Sequence, residues 1–216
     1  KVNSMEPDLI LVAGDIFDNE YEAVQNPDKI AATLSQMKSK YGVYGVFGNH
    51  DVTERLLGGF SVPSPEEEVR DPRFEEFARK AGIQILDDEV VCIEDAFYLV
   101  GRKDAQKTGD GEGRLSPEAI LGQTDTNLPV IVMEHQPRQL QQLADAGADM
   151  QLCGHTHDGQ IFPGNLVIPF FWENPCGLLV KDQMYSIVTS GVGVWGPAMR
   201  VGTASEVCEI TVNFNA

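Results

Sequence analysis

The 216-residue sequence predicts an α/β protein in a single domain spanning residues 1–216. Three observations carry this. Short apolar runs such as Leu9 to Ala13 and Val130 to Met133 have the length and composition of strands buried on both faces. Stretches with apolar residues at helical spacing lie between them. The order strand, helix, strand over residues 8–47 implies a parallel crossover, and in such sheets ligand groups collect where strands end at their carboxyl side.

Asp8 to Ala13 is the first strand, closed by Gly14. Pro27 opens a helix expected to run to about Lys40, with Ile30, Leu34 and Met37 on one face and Asn26 as its cap. Val43 to Phe47 is the second strand, stopped by Gly48-Asn49. Gly58 to Pro72, with its prolines, glycines and glutamates, reads as a surface loop before a helix from Arg73 to Ala81. Short strands are expected at Ile83–Leu86, Val90–Ile93 and Phe97–Val100. Gly101 to Gly113 is polar and glycine-rich, a sheet-end loop suited to a substrate lid or to a plain surface excursion. Val130–Met133 is a strand, Pro137–Ala146 a helix, and Met150–Cys153 a strand ended by Gly154. The tail from Met184 to Phe214 reads as two or three strands around glycine turns.

Composition narrows the function. At 42% hydrophobic and 23% charged the chain is ordinary globular protein, and its net charge of −17 argues against gripping nucleic acid through its own surface field. No apolar run approaches the roughly 18–20 residues of a membrane-spanning helix. Cys92, Cys153, Cys176 and Cys208 are too dispersed for a disulfide scaffold and read as buried free thiols.

Four segments share one grammar, a strand end followed by metal-capable side chains: Gly14-Asp15-Ile16-Phe17-Asp18, Gly48-Asn49-His50-Asp51, Glu134-His135 and Gly154-His155-Thr156-His157. All four histidines of the chain stand in them. Imidazole, carboxylate and amide oxygen together suit Zn, Mn or Fe better than Ca or Mg. His155 and His157 can face one pocket if their backbone is extended. Cys153 shares that parity, but no second cysteine lies near enough for a paired zinc motif.

In that order these motifs resemble the calcineurin-like metallophosphoesterases, and the stretch from His157-Asp158-Gly159-Gln160 through Gly191-Val192-Gly193, Arg200 and a closing strand Val207–Val212 resembles the bacterial YkuE-like branch. The resemblance implies a two-sheet β-sandwich flanked by helices. It implies two divalent transition metal ions (Mn, Fe or Zn), with Asp15 bridging, His157 on the first, and Asn49, His135 and His155 on the second. It further implies phosphoester hydrolysis by metal-bound hydroxide, with His50 beside the leaving group and Asp51 orienting it. Asp18 is expected to support its loop. Arg200 is a candidate phosphate clamp, set against an ordinary ion-paired arginine.

The family's Asp-x-His pair, expected on a strand before Gly14, does not occur here. With Lys1 in place of an initiator, the reading is a chain trimmed of its first strand, able to hold at most one metal tightly and prone to self-association through the open sheet. Members of the branch often carry export signals or membrane helices, so a membrane-associated or exported parent is implied. The substrate is expected to be a phosphorylated small molecule or lipid, whether phosphomonoester, phosphodiester or pyrophosphate, with a UDP-diacylglucosamine-type glycolipid as one alternative. A non-catalytic binding scaffold of the same fold is the other. Phe170-Phe171-Trp172 is read as core packing, with an apolar substrate wall as the competing role.

Overall fold

In the computed structural model, residues 1–52, 56–57, 60–61, 69–125 and 127–213 are described, so most of the expected Gly58–Pro72 loop lies outside them. The strands are β1 (Ile10–Ala13), β2 (Val43–Val46), β3 (Leu56–Leu57), β4 (Phe60–Ser61), β5 (Gln84–Ile85), β6 (Glu89–Ile93), β7 (Phe97–Gly101), β8 (Val130–Met133), β9 (Met150–Cys153), β10 (Gly177–Lys181) and β11 (Met184–Val188). The helices are α1 (Pro27–Leu34), α2 (Pro72–Lys80), α3 (Pro117–Leu121), α4 (Leu140–Asp145) and α5 (Gly164–Val167).

Two main sheets form. One is parallel, in the order β1-β2-β5; the other runs β10-β11-β9-β8-β7-β6, parallel in its middle with an antiparallel strand at each end. Strand parity explains how they stack. In β8 every residue is buried, Ile131 and Met133 packing with Val46, Leu86 and Leu99 between the sheets, and Val130 and Val132 packing with Ile120, Leu140 and Leu143 under α3 and α4. On the far side, Phe74, Phe77 and Ala78 of α2 and Ala31 of α1 cover the parallel sheet together with Phe17 and Phe47. The layers are therefore helix, sheet, sheet, helix, the sandwich implied by the resemblance.

Several expectations change. Helix α1 stops at Leu34, six residues short of Lys40, where Ser35 bonds back to Ala32 O and competes with the helix ladder. Asn26 precedes it in a left-handed conformation with no capping side-chain bond. Helix α4 starts at Leu140, because Gln139 is left-handed and the chain after β8 stays irregular. Helix α3 was not anticipated, although Ser116-Pro117 is a recognisable start: Ser116 Oγ accepts from Ala119 N. Strand β10 was also missed. The expected closing strand Val207–Val212 does not form, since no neighbouring strand pairs with residues 203–213 among the described residues, and after β11 the tail contributes only the isolated bridge Val201–Ile161. The cysteines are free as read, but Cys92 and Cys208 are exposed, and only Cys153 is fully buried.

The Gly101–Gly113 loop is fastened down. Arg102, fully buried, bonds Glu134, Leu115 O and Gln139, while the buried Asp104 carboxylate accepts from Gln106 N, Lys107 N and the Gln136 amide. Buried charges with this many partners suit a fixed wall better than a lid. Among the described residues no helix is long and apolar enough to cross a membrane.

Candidate metal centre

The ends of β1, β2, β8 and β9 converge. Gly14 and Gly48 allow it: a Cβ on Gly14 would sit 2.7 Å from His135 Nδ1 and 2.9 Å from Gly48 N, and one on Gly48 would collide with Asp15. The loops after β1 and β2 are then buttoned together. His50 N donates to Asp15 Oδ1 (3.0 Å), Asn19 N to His50 O (2.8 Å), and Phe17 N and Gly48 N to the two oxygens of Asp51 (2.8 and 2.7 Å).

Donor atoms of Asp15, His135 and His155 lie within 4.8 Å of one another. His135 is buried, and its Nδ1–H donates to Ala13 O at 2.7 Å, which fixes the tautomer and turns Nε2 toward Asp15 Oδ2 at 2.9 Å and His155 Nδ1 at 3.1 Å. Burial opposes charge on both members of the Asp15–His135 pair, yet their mutual attraction wins: the Asp15 carboxyl is held well below the carboxylate range and His135 is raised to about 9. His155 goes the other way, to about 3, through burial and the neighbouring His135 charge. His157 is lowered by burial and by Arg200.

Asp15, His155 and His157 all adopt positive φ (51°, 71° and 51°), a costly conformation for residues other than glycine that persists where the surroundings enforce it. This corrects the expected extended His155–His157 segment. Both rings still line one cavity of about 260 Å³, together with Asp15, His50, Ile168 and Trp195. A larger cavity of about 530 Å³ beside α2 and β5 shares none of these residues, and its Asp87 carboxylate is committed to Arg70.

The donors fit a borderline divalent metal. Beyond the carboxylate and two imidazoles, the Asn49 side-chain oxygen is buried with no hydrogen-bond partner, and Asn49 sits on the loop that touches Asp15. An orphaned buried carbonyl is costly unless something coordinates it.

Other expected residues fall elsewhere. Asp51 does not touch the His50 ring; its carboxylate is spent on two backbone donors, and burial followed by repulsion from Asp15 raises it to about 7. The ring instead contacts Asn19 Oδ1 at 3.1 Å, a residue the motif reading passed over. Exposed Asp18 supports its loop by accepting from Asn19 Nδ2. Glu134 is no metal donor, because Arg102, Arg114 and Gln151 enclose it. Cys153 is buried, and burial pushes its thiol up, away from the thiolate a metal needs. The Arg200 guanidinium donates to the carbonyls of His157, Ser190, Gly191 and Gly193. Phe170 and Phe171, read as core, are 85% and 74% exposed, while Trp172 packs edge-on against His155 at 5.0 Å under Arg138.

Two sheets between helices, with a carboxylate, an amide and imidazoles at four converging strand ends, form the arrangement that the motif resemblance implies, and the comparisons agree. The family model described as calcineurin-like phosphoesterase matches residues 1–159, so the chain belongs to that family. It is 31% identical over 98% of its length to a Danio rerio protein named transmembrane protein with metallophosphoesterase domain, covering 47% of that protein. It is 30% identical to the Escherichia coli phosphodiesterase YaeI (87% of the chain, 64% of YaeI), and 26% identical to the Bacillus subtilis metallophosphoesterase YkuE (98% of the chain, 70% of YkuE). The chain thus spans about half the length of the zebrafish relative.

Proposed function

We propose that this chain is a phosphohydrolase that cleaves a phosphodiester or related ester with two divalent transition metals, Asp15, Asn49, His135 and His155 holding one and Asp15 with His157 the other. The observation that carries this is the cluster of Asp15, His135 and His155 donors together with the unpartnered, buried Asn49 oxygen on the loop that touches Asp15. Bound there, such metals supply an activated water and neutralise charge building on the phosphoryl oxygens. The chain's residues do the rest. His135, locked by Ala13 O, keeps Nε2 inward; neutral His155 keeps a lone pair available; His50 faces the cavity, where its ring can protonate the departing oxygen. The position assigned to His157 has two protein donors against four for the other, so one metal is held tightly by these residues and the second weakly.

The E. coli relative's name, phosphodiesterase, favours a diester as the first substrate to try. Hydrolysis of a chromogenic phosphodiester by the purified chain should be abolished by a chelator and restored by Mn²⁺. Binding of metal with no hydrolysis of any phosphoester would favour the scaffold reading instead.

One observation favours a substrate with an apolar portion, such as the glycolipid pyrophosphate alternative. Ile168, which lines the cavity, belongs to a helical turn ending in exposed Phe170, and Leu166, Phe171 and Met199 are also more than half exposed. A membrane-associated parent fits the same reading, as two relatives are named transmembrane proteins.

A further inference from the structure

The His50 ring is oriented by something other than a carboxylate. Asn19 is 2% exposed and lies in a left-handed conformation (φ 62°), which asparagine tolerates better than most residues. It clasps His50 twice: its backbone N–H donates to His50 O at 2.8 Å, and its side-chain oxygen meets His50 Nδ1 at 3.1 Å. The other end of the amide, Nδ2, donates to Asp18 Oδ1 at 3.1 Å. An ionised carboxylate only accepts, so Asp18 dictates which way round the Asn19 amide sits. With the oxygen facing His50, the ring nitrogen opposite must carry the proton. Nε2 is then the nitrogen left for the cavity that His50 lines.

We infer that Asn19 is a positioning residue that, fixed by Asp18, holds His50 with Nδ1–H toward the Asn19 oxygen and Nε2 toward the substrate's leaving group, so that when both ring nitrogens are protonated it is the Nε2 proton that passes to the departing oxygen and the ring returns to the Nδ1–H tautomer. The amide orients the ring without placing a fixed negative charge beneath it. Asp51, on the neighbouring position, ties the two loops together through Phe17 and Gly48 and leaves the ring to Asn19. The kinetic arm of the test rests on the phosphohydrolase reading; the spectroscopic arm does not.

Asn19→Gly is the informative variant, because glycine keeps the left-handed backbone and the N–H to His50 O while deleting the side chain. Turnover of a chromogenic phosphodiester should fall by roughly 10–100-fold, the usual loss when an orienting partner is removed, with KM and metal content unchanged. In a His50→Ala background the same substitution should cost nothing further. Long-range proton–nitrogen correlation of the imidazoles in the metal-free chain should show His50 as the Nδ1–H tautomer, and Asn19→Gly should lose that preference. Equal losses in both backgrounds overturn the relay and make Asn19 a structural residue only. A tautomer unchanged by Asn19→Gly also overturns it, whatever the kinetics. A His50→Ala chain as fast as the parent overturns both the relay and the role given to His50, while an unaltered tautomer shift would locate that failure in the chemistry.

Discussion

The floor of the site and its rim are built on different principles. On the floor, three side chains near strand ends are gripped by backbone groups: His135 by Ala13 O, Asp15 by His50 N, and Asp51 by Phe17 N and Gly48 N. The rim, residues 161–201, wanders through short turns outside the sheets apart from β10 and β11. It is fastened largely through two side chains, Arg200 to four carbonyls and Gln160 to Trp195. Several of its apolar residues, Phe162, Leu166, Phe170 and Phe171 among them, are more than half exposed. Under the proposed function, fixed donors below and an exposed apolar surface above would separate the chemistry, which needs fixed geometry, from substrate choice, which needs surface.

The comparison can be broken first from below. Glu134, next to His135 in the chain, and Arg102 are both fully buried and paired at 3.0 Å. Glu134→Ala leaves a buried guanidinium short of its counter-charge and should cost about 3–5 kcal/mol, read by denaturant unfolding. A loss below about 1 kcal/mol would mean that the floor is not held from beneath.

The pH response of the metal-free chain tests the floor next. His135 has a folded value of about 9 against an ordinary 6.5, so its charged form contributes stability that is complete below 6.5 and is lost as pH rises through about 9. Tm should fall across that window in the parent and fall less in His135→Gln. Parallel Tm curves would remove the Asp15–His135 pair from the account.

Arg200→Ala attacks the rim. Losing a charged donor to several carbonyls should cost about 1–3 kcal/mol and loosen the His157 segment, weakening metal binding more than it changes KM. A pure KM effect would return Arg200 to the role of phosphate clamp.

Phe170→Ser should have the smallest effect, within about 0.5 kcal/mol of parent stability, as expected for a solvent-facing residue. Its use is comparative. If the rim selects substrates, hydrolysis of an acylated phosphoester should suffer while that of a small chromogenic diester does not; equal rates on both would leave the rim without that role.

The floor was legible in the sequence because strand and donor are adjacent there: an apolar run, a glycine, then aspartate, asparagine or histidine. Helix α3 carried a signal too, in Ser116-Pro117, though it passed unread. What was illegible depends on contacts far along the chain. Asn19 meets His50 across 31 positions, and nothing in Asp18-Asn19 announces it. The resemblance implies that Asp51 orients its neighbour His50, whereas the Asp51 carboxylate accepts from the backbone of Phe17 and Gly48. Phe170 and Phe171 look like core by composition, and only the fold shows that no layer of the described residues covers them. Val207–Val212 has the alternation of a strand, but alternation supplies no partner, and a strand needs one.

Metal content measured beside turnover tests the central claim most directly, in His155→Ala and His50→Ala purified together. The account has His155 as a donor and His50 as a proton source, so His155→Ala should lose bound metal and activity in step. His50→Ala should keep its metal and lose roughly 10²–10⁴-fold in turnover. A His155→Ala chain that retains the parent's metal, or a His50→Ala chain that sheds it, would contradict the assignment of the floor.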